Sequence, residues 1–257
     1  MDISFLILAL VQGILEWFPV SSSGHMAITE MFLGISSGLE FEIALHFGTL
    51  MAVFVYFRKD IVSIIRDLLN FKFKTPNARL GLLILIASIP VGFLGFIFRS
   101  YFELSSSLII LGFGWVVTSL ALFAGSFSNN KLKNSSFLSY PKALVVGFAQ
   151  FLSLIPGVSR SGMTISSGLL FGLNEKEAIK FSYLLSIPAI IGANLVTFGN
   201  KAIPFEFLFP AIICFGSGLI FMHISFNYVL NNRKNLRWFG VYTLILGIIV
   251  IISTLIL

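Results

Sequence analysis

Charge is scarce in this chain, and the scarcity decides its class. Only 11% of its 257 residues are Asp, Glu, Lys or Arg, against about 25% in soluble domains. Hydrophobic residues make up 57%, and mean hydropathy is +0.97. A soluble core of this size has no room for so much apolar surface, so a polytopic membrane protein is predicted. Cysteine is rarer still. Cys214 stands alone, which excludes an intramolecular disulfide, and its apolar surroundings predict simple packing. A basic leader is also missing. Met1-Asp2-Ile3-Ser4 has no positive n-region, so the first apolar run is read as retained. No Walker loop, Rossmann fingerprint or cysteine-based metal motif occurs. The net charge of +6 does not signal nucleic acid. The bases sit in short loops between apolar runs, which is how membrane topology is written.

What is present is apolar sequence interrupted twice by a polar island. Residues 2–33 break at Pro19 and a Ser-Gly-His cluster into half-length helices, 2–17 and 22–33. Neither reaches the roughly 20 apolar residues needed to span a bilayer, so a re-entrant hairpin is predicted. Residues 141–173 repeat the pattern, broken at Pro156-Gly157. Full spans are predicted at 41–57, 80–98 (kinked at Pro90), 105–124, 177–199, 205–229 and 236–257. A basic loop with Arg58, Lys59, Arg66, Lys72, Lys74 and Arg79 follows the first of these. A polar loop from Ser126 to Tyr140 carries Asn129, Asn130, Lys131 and Lys133. The total is ten helical pieces in one integral membrane domain, with halves of about 1–124 and 141–257 joined by a cytoplasmic loop.

The halves resemble each other. Val20-Ser21-Ser22-Ser23-Gly24 aligns with Val158-Ser159-Arg160-Ser161-Gly162, and Gln12 falls on Gln150 in the same register. Each half is one hairpin plus three spans. Three crossings are odd, so the second half enters the membrane upside down, as an inverted-topology repeat. In that layout 14 of the 17 Lys and Arg lie on one side, with Arg99 and Lys201 on the other and Arg160 buried. The positive-inside rule makes the rich side cytoplasmic. The first hairpin then enters from outside and the second from the cytoplasm, with their tips meeting near the midplane.

The tips carry the chemistry. An ionised side chain near the bilayer centre costs about 2.5–3.5 kcal/mol on insertion scales, so Glu16 and Arg160 imply a wet, functional cavity. Gln12 and Glu16 are four apart and share a helix face. They suit a hard cation or proton transfer, or form a simple hydrogen-bonded pair. Ser21, Ser22 and Ser23 open a half-helix, where free amides and hydroxyls bind anions or cap the helix. His25 lies within one turn and can serve as base, acid or nucleophile. Arg160, between Ser159 and Ser161 at a second helix start, makes a phosphate clamp or a salt bridge to Glu16. Thr164 follows one turn on. His46, near Glu40 and Glu42, reads as packing or a simple hydrogen bond ahead of lining the cavity, His223 as structural, and the 29 Phe residues as lipid-facing or helix-packing mass.

These motifs resemble those of the undecaprenyl-diphosphate phosphatases, the bacitracin-resistance family. The signatures are an (E/Q)-x-x-x-E stretch running into P-V-S-S-[ST]-G-H, and P-G-x-S-R-S-x-x-T. They stand here as Gln12 to Glu16 through His25, and Pro156 to Thr164. The resemblance spans nearly the whole chain and implies an all-α polytopic membrane enzyme of the bacterial cytoplasmic (inner) membrane. It removes the terminal phosphate of a C55 isoprenoid diphosphate on the outer face, recycling the lipid carrier for cell-wall synthesis and conferring bacitracin resistance. Glu16, Ser22, His25 and Arg160 match the family's essential positions, and Ser159 and Thr164 its second motif. Ser21, Ser23, Ser159, Arg160, Ser161 and Thr164 are then expected to bind substrate, and Gln12 with Glu16 to hold Mg²⁺ or Ca²⁺. Many members carry Glu where this chain has Gln12, which removes one charge from that metal site. Ser22 attacks with His25 as base, or His25 activates water or attacks itself. The expected partners are the lipid diphosphate and the membrane, with no nucleic acid, and a homodimer is left open. The rival class is a lipid-phosphate transporter or flippase, since inverted repeats with broken helices also build carriers.

Overall fold

The computed structural model describes residues 3–98, 107–128, 138–199 and 203–256. Arg99, Lys201, Asn129, Asn130, Lys131 and Lys133 lie outside the described residues. Within them the chain is helical throughout. Helices α1 (Ile3–Leu15) and α2 (Ser22–Leu33) form the first broken pair. Three spans follow: α3 (Leu39–Tyr56), α5 (Pro76–Ile97) and α6 (Leu108–Ser126), with α4 (Arg58–Leu69) between the first two. Helices α7 (Tyr140–Phe151, continued by a 3-10 turn, Leu152–Leu154) and α8 (Arg160–Leu170) form the second broken pair. Then come α9 (Glu175–Phe198), α10 (Phe205–Ile224, running into a π-helical turn, Ser225–Val229) and α11 (Leu236–Ile256). Six of these helices are long and apolar enough to cross a membrane, the same six predicted from hydropathy.

The basic segment 58–79 is not simply a loop. Its first twelve residues form α4, an eleventh helix beyond the ten expected. The reason is legible in hindsight. Ile61, Ile64 and Leu68 recur at helical spacing and pack on the core beside α5, while Arg58, Lys59 and Arg66 remain exposed. The turn after it is tied by Asp67, which accepts from Thr75 Oγ1 (2.8 Å) and Asn77 Nδ2 (3.2 Å). Those two hydrogen bonds, Thr75 first, hold the Asp67 carboxyl below its usual range. Thr75 also caps α5 by accepting from the amide of Ala78. Pro90 sits inside α5 without ending it.

The basic segments gather at one end of the molecule. Lys180 bonds Asp60 at 2.5 Å, joining α9 to α4, and Arg233 bonds Glu175 at 2.6 Å. Arg79 reaches the carbonyl of Leu138, and Lys142 that of Phe171.

Close backbone approach sets the packing elsewhere. A Cβ on Gly13 of α1 would stand 2.7 Å from the carbonyl oxygen of Cys214, and one on Gly48 of α3 would stand 2.4 Å from that of Ala211. Both glycines thus seat their helices directly on α10, with small residues at the interface as membrane helices favour. Cys214 lies fully buried there, its thiol donating to the Leu45 carbonyl. It packs, as expected. Gly48→Val should therefore force α3 and α10 apart. A loss of about 1–3 kcal/mol is expected from overpacking, read as earlier unfolding of the purified protein in detergent. Unaltered melting would show that this contact can relax freely.

Candidate functional site

The site is built where the two breaks meet. After α1 the chain turns through residues 16–21, and Ser21 adopts a positive φ of 67°, uncommon for a residue with a Cβ. Three carbonyls of the break receive side-chain donors. Trp17 receives the hydroxyls of Tyr183 (2.7 Å) and Ser225 (2.9 Å). Phe18 receives Ser161 Oγ (3.0 Å), and Val20 receives Trp115 Nε1 (2.9 Å). At the second break the amide of Ser159 donates to Thr118 Oγ1 (2.8 Å). Ser159 Oγ caps α8 by accepting from the amide of Gly162 (3.1 Å). Gly157, at φ 85°, tucks against α6, where a Cβ would stand 2.1 Å from the Leu111 carbonyl oxygen.

At the centre lies Glu16, 7% exposed. Its Oε1 accepts a short hydrogen bond from Arg160 Nη2, so the two tips are joined by an ion pair. Its Oε2 accepts from Ser22 Oγ at 2.6 Å and from Gln12 Nε2 at 2.9 Å. The Gln12 amide also reaches His46 Nδ1 at 3.0 Å. The opposite amide orientation would set Gln12 Oε1 against the carboxylate, so Nε2 is the donor to both. His46 Nδ1 must then accept, which leaves the ring proton on Nε2, the nitrogen facing Glu42 Oε1 at 3.9 Å. Gln12 Oε1 is buried and has no hydrogen-bond partner among the described residues.

His25 stands apart from this carboxylate cluster. Its Nδ1 donates to the Ser21 carbonyl at 2.7 Å, and its Nε2 meets Tyr242 Oη at 2.7 Å. Ser22 and His25, paired in one of the routes that the sequence leaves open, make no hydrogen bond to each other among the described residues. The Ser22 hydroxyl goes to Glu16 instead, because the turn through residues 16–21 folds the carboxylate back over the start of α2.

Of the residues singled out from sequence, Gln12, Glu16, Ser22 and Arg160 form one connected cluster. Ser21 and Ser23 flank it, their hydroxyls 3.4 Å apart. Ser159 and Ser161 are 3.2 Å apart and stitch the tips together. Thr164 is wholly buried, bonded to Ser182 Oγ and the Arg160 carbonyl, so it braces α8 rather than facing the cluster. His46, read from sequence as packing, belongs to the cluster. Its signal was Glu42 one turn earlier on the same helix face. Tyr242 and Tyr183 carried no local signal.

For a cation the protein offers three hard oxygens here, the two of the Glu16 carboxylate, both already accepting hydrogen bonds, and Gln12 Oε1, on the side of the amide away from them. Among the described residues no group of three or more His, Cys, Asp or Glu is placed to hold a metal. The donor set therefore fits an ion that takes its remaining ligands from phosphate and water, as Mg²⁺ commonly does.

A family model described as bacitracin resistance protein BacA matches residues 5–249. The chain belongs to the BacA family. Among its relatives is the undecaprenyl-diphosphatase of Methanosphaera stadtmanae, 36% identical over 99% of both chains. That of Carboxydothermus hydrogenoformans is 36% identical over 96% of this chain and 95% of its own. That of Mycobacterium ulcerans is 37% identical over 95% and 94%. The BacA match takes in both breaks, five whole spans and the sixth, α11, up to residue 249.

The Glu16–Arg160 pair should behave as a unit. Glu16→Gln and Arg160→Gln, each leaving an uncompensated partner, should each destabilise by about 3–5 kcal/mol. The double variant should lose clearly less than the sum. Additive losses in a thermal unfolding series would show that the two do not stabilise each other.

Proposed function

We propose that this membrane protein hydrolyses undecaprenyl diphosphate to undecaprenyl phosphate and inorganic phosphate, the activity for which its relatives are named. Recycling the lipid carrier in this way supplies cell-wall synthesis and underlies bacitracin resistance. One observation carries the reading. A single buried carboxylate holds both a serine hydroxyl at 2.6 Å and a guanidinium, which joins a nucleophile, its base and a phosphate clamp.

The resting ion pair suggests how the reaction starts. An incoming diphosphate competes for Arg160, whose planar fork suits phosphate oxygens. Glu16 is then released from its cation while still holding Ser22. Ser22 Oγ attacks the terminal phosphorus as its proton passes to Glu16. The bridging P–O bond breaks, and undecaprenyl phosphate leaves. Water then attacks the phosphoserine phosphorus, its proton going to His25 Nε2, the ring nitrogen not tied to backbone, while the P–Oγ bond breaks and Ser22 Oγ regains its proton from Glu16. The amides and hydroxyls at the start of α8 hold the phosphate oxygens. A divalent cation on Gln12 Oε1 and Glu16, when bound, neutralises phosphate charge.

The second reading, a carrier, needs the clamp but not the Ser22–Glu16 contact. Phosphate release from undecaprenyl diphosphate by the purified protein separates the two. We expect turnover that a chelator suppresses. Arg160→Lys should reduce turnover by about tenfold or more, and Ser22→Ala by about a hundredfold. A labelled phosphoserine should be trapped on quenching. Absence of release from the wild type would favour the carrier, and full activity of Ser22→Ala would remove Ser22 as nucleophile.

We also assign the inner membrane and an inverted repeat, with α1–α2 and α7–α8 as re-entrant hairpins. The packing supports this by its reciprocity. Helix α1 lies on α10, the middle span of the other half, and α7 lies on α5, the middle span of its own opposite. Helix α3 meets its counterpart α9, and α6 meets α11. With the basic end in the cytoplasm, the first hairpin opens outward. In a Cys214→Ser background, a cysteine replacing Ser36 should react with an impermeant thiol reagent in intact cells. One replacing Asn70 should react only after permeabilisation. The reverse pattern would move the reaction to the cytoplasmic leaflet.

A further inference from the structure

We propose that Tyr242, on the last helix, is the positioning residue for His25, holding its ring in one fixed orientation. The proposal rests on the reading of His25 given above. It begins with the tautomer. A carbonyl oxygen only accepts, so the 2.7 Å contact from His25 Nδ1 to the Ser21 carbonyl places the ring proton on Nδ1. That leaves Nε2 as a bare acceptor, and Tyr242 Oη lies 2.7 Å from it. The phenol therefore donates to the one nitrogen able to take a proton.

The ring is confined on two further sides. Tyr242 stacks with it at 5.7 Å between centroids and 13° between planes. Trp115 meets it edge-on at 5.3 Å and 74°. Trp115 is itself pinned through its indole nitrogen to the Val20 carbonyl. Tyr242 is held through its helix. Ser119 Oγ bonds the Gly240 carbonyl at 2.8 Å, one half-turn before Tyr242, and the backbones of α6 and α11 touch at Gly112 and Gly247. His25 thus sits in a slot whose walls come from α6 and α11, while its own backbone belongs to the strained start of α2.

A phenol suits this post better than a carbonyl or an amine. Its hydroxyl donates to neutral Nε2 and, once Nε2 has gained a proton, accepts from it. Both protonation states of His25 are then met in one geometry, so the ring need not reorient between proton transfers. Tyr242 is 45% exposed, which makes loss of its hydroxyl tolerable to the fold and leaves the phenol free to turn aside when phosphate arrives. No other hydrogen bond to Oη is recorded among the described residues.

The test uses the full chain in detergent. Tyr242→Phe keeps the stacked ring and removes only the hydroxyl. Its kcat should fall about tenfold while KM stays within about twofold, the pattern of a lost transition-state contribution. Diethyl pyrocarbonate, which acylates the free imidazole nitrogen, should label the His25 peptide several-fold faster in Tyr242→Phe than in the wild type. Labelling is read by mass spectrometry and needs no activity. His25→Gln is assayed beside it. Wild-type turnover in His25→Gln would mean that the reading of His25 itself fails. An inactive His25→Gln with unchanged kcat and labelling in Tyr242→Phe would overturn the role of Tyr242 alone. So would a fall in kcat with unchanged labelling, since Tyr242 would then act other than through His25.

Discussion

A helix broken inside apolar surroundings must find a partner for every backbone group the break sets free. Each one left bare there costs several kcal/mol. At the first break the partners come from four other helices: Trp115 on α6, Ser161 on α8, Tyr183 on α9 and Ser225 at the end of α10. The bonds that make the break affordable are therefore the bonds that assemble the bundle. They also determine where Glu16 points, since it lies one residue before the first of these carbonyls. Fold and site share one set of hydrogen bonds, so no part of the tip can shift without exposing a buried carbonyl.

The same economy governs the charges. Glu16 is buried, yet four groups converge on or beside its carboxylate: Arg160, Ser22, Gln12 and, at 3.7 Å, His46. A lone carboxylate in this position would take up a proton rather than remain charged. Pairing with Arg160 keeps it ionised, and the donors fix both oxygens in place. The arrangement is satisfied at rest but open to competition, because a phosphate offers Arg160 a better bidentate partner than one carboxylate oxygen does.

How much of this was legible depends on how local each signal is. Span lengths, the breaks at Pro19 and Pro156-Gly157, and the packing role of Cys214 all rest on short stretches of composition, and all were readable. Helix α4 was readable too, from Ile61, Ile64 and Leu68, but five charges in twelve residues masked the period. The pairing of Ser22 with His25, one of the routes that the sequence leaves open, is not the contact made at rest. Proximity in sequence suggested it, whereas the positive φ of Ser21 turns the chain so that Glu16, six residues back, meets the hydroxyl instead. The His25–Tyr242 contact joins residues 217 positions apart, and no local pattern in α11 marks that tyrosine off from its apolar neighbours.

The two halves, proposed above as an inverted repeat, do not share a chemistry. In the register that sets Gln12 on Gln150, Glu16 falls on Leu154, Ser22 on Arg160 and His25 on Met163. One tip thus supplies the acid, the hydroxyl and the imidazole, and the other supplies the cation. The consequence shows in the two glutamines. Gln12 has a carboxylate and an imidazole beside its amide and bonds both. Gln150 is equally buried, and neither its nitrogen nor its oxygen has a hydrogen-bond partner among the described residues. A buried unpaired amide costs about 1–3 kcal/mol, so the second tip carries a polar group in a place that no longer offers it a carboxylate. A duplicated frame explains this pairing of a bonded and an orphaned glutamine at matching positions. Two independently built hairpins would have no reason to keep the second one.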